Sequence, residues 1–336
     1  MSQLTSEYLR ERVLALAKGQ DTNFEQLAAD IYSFQSVHCP LYRDWLGYFP
    51  HESAGGGTVL DIPRLPISAW KLAAVKSGIF EPDVVYTSSG TSGATTARHA
   101  VRDRQFYLNN ALAAFQNQYG SVSSRCILGL LPAYMERTGS SLVAMVQAFI
   151  DRSQVPRSGT YLYDHQSLYK VLMSNKQQRI PTVLIGVSFA LLDFVERYTV
   201  DFPELIVMET GGMKGRKEEI TRGQLHERLT AGFGVSAIHS EYGMTELLSQ
   251  SYSGGQGIYK PAATKKVIIT EMNDPLTEAP HGKAGVINII DLANVDSCSF
   301  IITEDIGIGY ADGTFEVLGR LDTADLRGCN LMVSDL

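Results

Sequence analysis

Tyr86-Thr87-Ser88-Ser89-Gly90-Thr91-Ser92-Gly93 ends the apolar run Val84-Val85-Tyr86 by packing small hydroxyl and glycine residues where a strand should stop. Glycine lets the backbone turn and expose its N–H groups, and serine and threonine hydroxyls add donors around a polyphosphate. The same composition also makes plain surface turns, so the rest of the chain must decide between the two. Two familiar phosphate loops fail on spacing. A P-loop needs G-x-x-x-x-G-K-[ST], and the window from Gly90 offers Ala94, Thr95 and Thr96 where the lysine and hydroxyl should fall. A dinucleotide fingerprint needs G-x-G-x-x-G at the start of a helix, and none is found.

The 336 residues can bury a large core, enough for one big domain or two moderate ones. With 29 basic and 36 acidic residues the net charge is −7, which argues against a nucleic-acid partner held on a broad basic surface. An anionic ligand would need local donors. The segment Met1 to Gln20 lacks the apolar core of a signal peptide and reads as an exposed helix. The longest apolar region, Thr182 to Val195, carries Ser188 and Asp193 and is too short to span a bilayer, so a cytoplasmic protein with no membrane span is expected. Cys39, Cys126, Cys298 and Cys329 show no C-x-x-C spacing, against both a zinc cage and a disulfide framework. The first three fit a core as small hydrophobes.

Between Arg125 and Glu246 short apolar runs alternate with longer amphipathic ones. Strands are predicted at Cys126 to Leu131, Thr182 to Ile185, Leu205 to Met208 and Val235 to His239. Helices are predicted at Ser141 to Ile150, Ser188 to Tyr198 and Lys217 to Leu229. That order predicts an α/β fold, a mostly parallel sheet covered by helices, with ligands at the carboxyl ends of the strands. From Lys265 onward short β-rich runs take over, at Val267 to Thr270, Val286 to Asp291, Ser299 to Thr303 and Phe315 to Leu318. The expected division is a core over residues 1–264 and a small β-rich subdomain with its tail over 265–336.

Several loops follow in order: Tyr86 to Gly93, Leu131-Pro132-Ala133-Tyr134, Glu209-Thr210-Gly211-Gly212, Glu241-Tyr242-Gly243-Met244-Thr245-Glu246, Thr303-Glu304-Asp305-Ile306-Gly307 and Gly319-Arg320-Leu321-Asp322. This ordered set resembles the motifs of the adenylate-forming superfamily, and more closely its acyl-protein synthetase branch of the LuxE type. Two features point to that branch: the sequence ends soon after Gly319-Arg320, and Arg327-Gly328-Cys329 puts a thiol near its carboxyl end. The fold implied is the N-terminal domain of adenylate-forming enzymes without their mobile C-terminal domain.

The resemblance implies ATP and Mg²⁺ as cofactors and assigns Ser88, Ser89, Gly90, Thr91, Ser92 and Gly93 to the phosphates. It places Tyr242 against adenine within Tyr242-Gly243-Met244-Thr245, Thr245 on the α-phosphate and Glu246 on Mg²⁺. Asp305 would accept from the ribose hydroxyls, Arg320 would lie near ribose and phosphate, and Gly211 and Gly212 would wall the adenine and acyl pocket. Each residue alone also fits a bland role, Asp305 in a turn, Glu246 as a carboxylate at a helix start, Tyr242 in the core.

In the glycine-rich loop Thr95 and Thr96 replace the family's proline and lysine, leaving Arg98 and His99 as the nearest cations, with Lys214 a further candidate. The implied activity is ATP-dependent conversion of a carboxylic acid, fatty or aryl, to an acyl adenylate, then transfer to a thiol. That thiol is Cys329 of the chain itself, or it belongs to CoA or an acyl carrier protein. A nucleotide-binding subunit without catalysis is the third reading. Tyr134, Met135, Met213 and Met244 suit a hydrophobic acid.

Overall fold

Helix α1 (Ser6–Ala17) starts where the Thr5 side chain accepts from the backbone N–H of Tyr8. Leu9, Val13 and Leu16 fall on one face and are buried, so the helix is amphipathic and docked, where the sequence led us to expect an exposed one. Its charged residues hide this in the sequence: Glu7 and Glu11 are exposed, while Arg10 and Arg12 flank the buried stripe in ion pairs with Asp296, Asp21 and Asp30. Helix α2 (Phe24–His38) packs on α1 and is followed by α3 (Pro40–Leu46). The computed structural model describes residues 4–49, 58–88, 96–132, 139–211 and 220–321.

Strand β1 (Leu65–Pro66) and helix α4 (Ala69–Leu72) lead to the hairpin of β2 (Val84–Thr87) and β3 (Arg98–Val101), which carries the glycine-rich loop at its tip. Helix α5 (Arg104–Tyr119) precedes the parallel region. There β4 (Cys126–Leu130), α6 (Ser141–Arg152), β5 (Gly159–Thr160), α7 (His165–Gln178), β6 (Thr182–Val187), α8 (Ser188–Val195), β7 (Ile206–Thr210), α9 (Arg222–Phe233) and β8 (His239–Tyr242) alternate as expected, but β5 and α7 were not predicted, since a two-residue strand shows no period. All residues of β4 and β6 are buried, as strands covered on both faces require.

The last parallel strand begins later than predicted. Helix α9 ends at Gly234 in a left-handed conformation, φ 67°, where a Cβ would lie 2.5 Å from the Asp201 Cα. The chain uses Val235 to Ile238 to return from that stop, burying Val235 and Ile238 outside any strand. The pairing residues are instead the polar His239, Ser240 and Glu241.

Antiparallel strands complete the sheet: β9 (Ser251–Ser253), β10 (Ile258–Pro261), β11 (Lys265–Glu271), β12 (Asp274–Glu278), β13 (Ala284–Asp291), β14 (Phe300–Gly309) and β15 (Phe315–Arg320). Among the described residues the order is β12-β11-β13-β14-β15-β10-β9-β8-β7-β6-β4-β5, with β1 parallel to β14. The pairs Ile258↔Glu316 and Tyr259↔Phe315 join the β-rich part to the parallel part. Asp305, on β14, is therefore brought back beside β8. Cys39, Cys126 and Cys298 are buried free thiols, as expected of core residues. Cys329 lies outside the described residues.

Candidate active site

The stem of the glycine-rich loop is closed by the Ser88 N–H donating to the Ala97 carbonyl at 3.0 Å and the Ala97 N–H donating to Ser88 Oγ at 2.9 Å. Ser89, Gly90, Thr91, Ser92 and Gly93 lie outside the described residues. Thr87 donates its N–H to the Gly139 carbonyl at 2.8 Å, tying this stem to the segment after β4. Gly139 has φ 89°, and a Cβ there would lie 3.1 Å from the Val85 carbonyl, so the contact needs glycine.

At the ends of the neighbouring strands β7 and β8, Thr210 is in register with Glu241, which sets Gly211 and Tyr242 side by side. Ser188 Oγ donates to the Gly211 carbonyl at 2.6 Å. Gly212 and Lys214 fall outside the described residues.

Tyr242 is 9% exposed and donates its hydroxyl to Asp305 Oδ2 at 2.8 Å. Its ring meets Phe315 edge-on at 5.6 Å, and the Lys265 ammonium lies 4.9 Å from the ring centroid. Asp305 is paired across the ladder with Arg320, whose Nε is 3.6 Å from Asp305 Oδ1. Burial pushes the Asp305 carboxyl up, opposed by the Tyr242 hydrogen bond and the Arg320 charge. Asp305 is thus a strand residue with a buried partner, which removes the plain-turn alternative.

After Tyr242 the chain turns through Gly243, where a Cβ would collide with the Glu241 carboxylate. Met244 packs against the core and Thr245 is half-buried. Glu246 is buried in this turn, outside any helix, and its carbonyl accepts from Asn294 Nδ2 at 2.8 Å. Burial pushes its carboxyl up, with the charges of Lys71 and Arg320 acting against that and Glu304 adding to it.

The sequence offered His99 as a cation, and the structure corrects this. Its Nδ1 contacts the Thr245 carbonyl at 2.9 Å and its Nε2 the Ser297 hydroxyl at 3.0 Å. The carbonyl can only accept, so Nδ1 carries the proton and Nε2 accepts from Ser297. Burial lowers its pKa to about 4, making it a neutral strut between β3 and the turn after β8. Arg98 is exposed.

Several residues of this region escaped the sequence reading. Asp291 accepts from the backbone N–H groups of Leu248, Ser249 and Ala293 and from the Ser249 hydroxyl, fixing the chain just past Glu246. Lys265, read only as the start of the β-rich part, is fully inside, with a pKa lowered to about 8 by burial against the opposing charges of Asp291, Glu241 and Asp305. Glu241 is buried with Thr210 Oγ1 donating to it at 2.6 Å. No local signal marks Asp291 or Lys265, and Glu241 was read only as the first residue of its motif, its buried pairing with Thr210 being remote in sequence.

Among the described residues no group of three or more His, Cys, Asp or Glu could hold a metal ion. Mg²⁺ bound through one carboxylate and nucleotide phosphates needs no more from the protein. A divalent cation would also hold a carboxyl raised by burial in its ionised form.

The fold is that of adenylate-forming enzymes. A structure of ATP-bound MatB from Rhodopseudomonas palustris matches with a TM-score of 0.51 and 20% identity, over 73% of this chain and 50% of that one. An open 2-hydroxyisobutyryl-CoA ligase in complex with 2-HIB-AMP and CoA matches with a TM-score of 0.59 and 13% identity, over 90% of this chain and 77% of that one. The chain spans about half the length of the MatB structure. Within that class the chain belongs to the family described as acyl-protein synthetase, LuxE, which matches residues 12–336. A similar protein is the long-chain-fatty-acid–luciferin-component ligase of Aliivibrio fischeri, 22% identical over 382 residues, covering 98% of this chain and 97% of that protein.

Proposed function

We propose that the protein uses MgATP to convert a hydrophobic carboxylic acid, fatty or aryl, to its acyl adenylate and then passes the acyl group to a thiol. The observation that carries this reading is the buried Tyr242–Asp305 pair, with Arg320 beside it and Glu246 four residues beyond Tyr242. Tyr242 offers a rim for the base, Asp305 an acceptor for ribose hydroxyls through Oδ1, and Gly211 a close backbone wall. Ser88 to Gly93, with Gly212, would complete the nucleotide site. Glu246 would hold Mg²⁺, whose chemistry is to neutralise phosphate charge. Thr245 would bond the α-phosphate, its carbonyl already fixed by His99.

For the first step an ionised carboxylate needs no general base; alignment and charge stabilisation are what the residues must supply. Residues 1–264 would contribute the loops around the phosphates and base, and 265–336 would contribute Asp305 and Arg320. The acceptor in this reading is Cys329, its thiolate favoured by Arg327, with CoA or an acyl carrier protein as the alternatives. Among the described residues no helix is long and apolar enough to cross a membrane. Together with the buried free thiols, this supports a cytoplasmic setting.

The test is acid-dependent exchange of labelled pyrophosphate into ATP across a panel of fatty and aryl acids. Absence of exchange with every acid would refute activation. Labelling with acid and ATP, then neutral hydroxylamine, tests the acceptor: a Cys329→Ser protein that keeps hydroxylamine-sensitive label would exclude the acyl-cysteine.

A further inference from the structure

Adenylation builds negative charge on the α-phosphate and on the leaving pyrophosphate, so a cation besides the metal should face them. Of the cations that the sequence offered, His99 is neutral and buried, Arg98 is exposed on β3, Lys214 is outside the described residues, and Arg320 is paired with Asp305 on the ribose side of the proposed site. The structure brings a different one to the site from a segment that no motif marked.

Helix α4 is held from two sides. Strand β1 runs parallel to β14 with Leu65 opposite Ile301 and Pro66 opposite Ile302, and the Ile67 N–H donates to the Ile302 carbonyl at 2.9 Å. Trp70 is buried and stands edge-on to His99 on β3, ring centroids 6.2 Å apart. The helix therefore lies between the strand that carries Asp305 and the strand that closes the glycine-rich loop. Trp70 anchors it, and the next residue, Lys71, projects outward with a side chain 40% exposed. Its ammonium is 3.8 Å from Glu304 Oε2, and Lys71 and Arg320 are the positive charges that face the Glu246 carboxylate. An exposed pair at that distance stabilises a fold very little, so the Glu304 contact does not account for the placement.

We infer that the Lys71 ammonium binds the α-phosphate of ATP and the departing pyrophosphate, and is a catalytic residue of adenylation. The inference rests on reading this site as the nucleotide site. In the step concerned, a carboxylate oxygen of the acid forms a bond to the α-phosphorus. The bond from that phosphorus to the bridging oxygen breaks, and its electron pair leaves with pyrophosphate. No proton moves. A compact ammonium on a flexible four-carbon stem can follow the charge from one oxygen to the next.

Lys71→Met and Lys71→Gln, with Lys176→Gln on α7 as a control, test this by acid-dependent pyrophosphate exchange, MgATP binding by calorimetry and thermal unfolding. Both Lys71 variants should lower kcat at least about 100-fold with an unchanged unfolding midpoint, while Lys176→Gln stays within about threefold. Lys71 variants within threefold of the unaltered protein would overturn the inference. If the unaltered protein exchanges with no acid, the proposed activity fails by itself, and MgATP affinity then decides for Lys71. Binding at least about tenfold weaker in both variants upholds the phosphate contact; equal binding, or none in any protein, overturns it.

Discussion

Tyr242→Phe removes one oxygen from a buried polar pair of the site. The hydroxyl donates to Asp305 Oδ2 at 2.8 Å with Tyr242 9% and Asp305 8% exposed, so water cannot easily replace it. Arg320 remains 3.6 Å from Asp305 Oδ1, but its side chain is 79% exposed and its charge is screened. A hydrogen bond to a charged group contributes about 1.5–3 kcal/mol, and a neutral pair about 0.5–1.5 kcal/mol. Burial already holds the Asp305 carboxyl above its usual range, so its folded form binds a proton more tightly than the unfolded chain does. Such a group lowers stability as pH rises from the unfolded pKa through the folded one. Losing the hydroxyl raises the folded value further and extends that fall to higher pH. Urea unfolding of Tyr242→Phe should therefore show a loss of about 1.5–3 kcal/mol at pH 7, shrinking towards about 0.5–1.5 kcal/mol at about pH 3, below the ordinary aspartate value of 3.8. A loss that is equal at the two pH values, or below about 0.5 kcal/mol at pH 7, would refute a charged acceptor at Asp305.

Glu246→Ala should abolish Mg²⁺-dependent pyrophosphate exchange, and unchanged exchange would remove Glu246 from the metal. Because burial raises its carboxyl, the affinity for Mg²⁺ in the unaltered protein should start to fall, on acidification, above the ordinary glutamate value of 4.5, as read from kcat/KM against pH. His99 is held neutral with a pKa of about 4 against an ordinary 6.5. Its depressed value contributes roughly 3 kcal/mol of stability above the unfolded pKa, lost as pH falls through that interval. His99→Gln should flatten the pH dependence of unfolding between pH 6.5 and 4, and an unaltered slope would show that other groups govern acid unfolding.

The sequence alone carried most of the order of strands and helices from Cys126 to Tyr242, missing β5 and α7, because buried parallel strands must be apolar runs and the helices that cover them must be amphipathic. Errors fell where one glycine moved a boundary, as at Gly234, and where charged side chains masked the buried stripe, as in α1. Tyr242, Glu246, Asp305 and Arg320 were legible as members of an ordered set of motifs that resembles a known family. Their mutual geometry was not. Asp305 reaches Tyr242 only because β15 pairs with β10, and His99 is neutral only because Thr245 and Ser297 enclose it. Lys71, Lys265 and Asp291 carried no local signal at all. Periodicity and turn chemistry act over a few residues and can be read along the chain, whereas charge state, burial and the meeting of remote side chains arise from long-range pairing and exist only once the chain has folded.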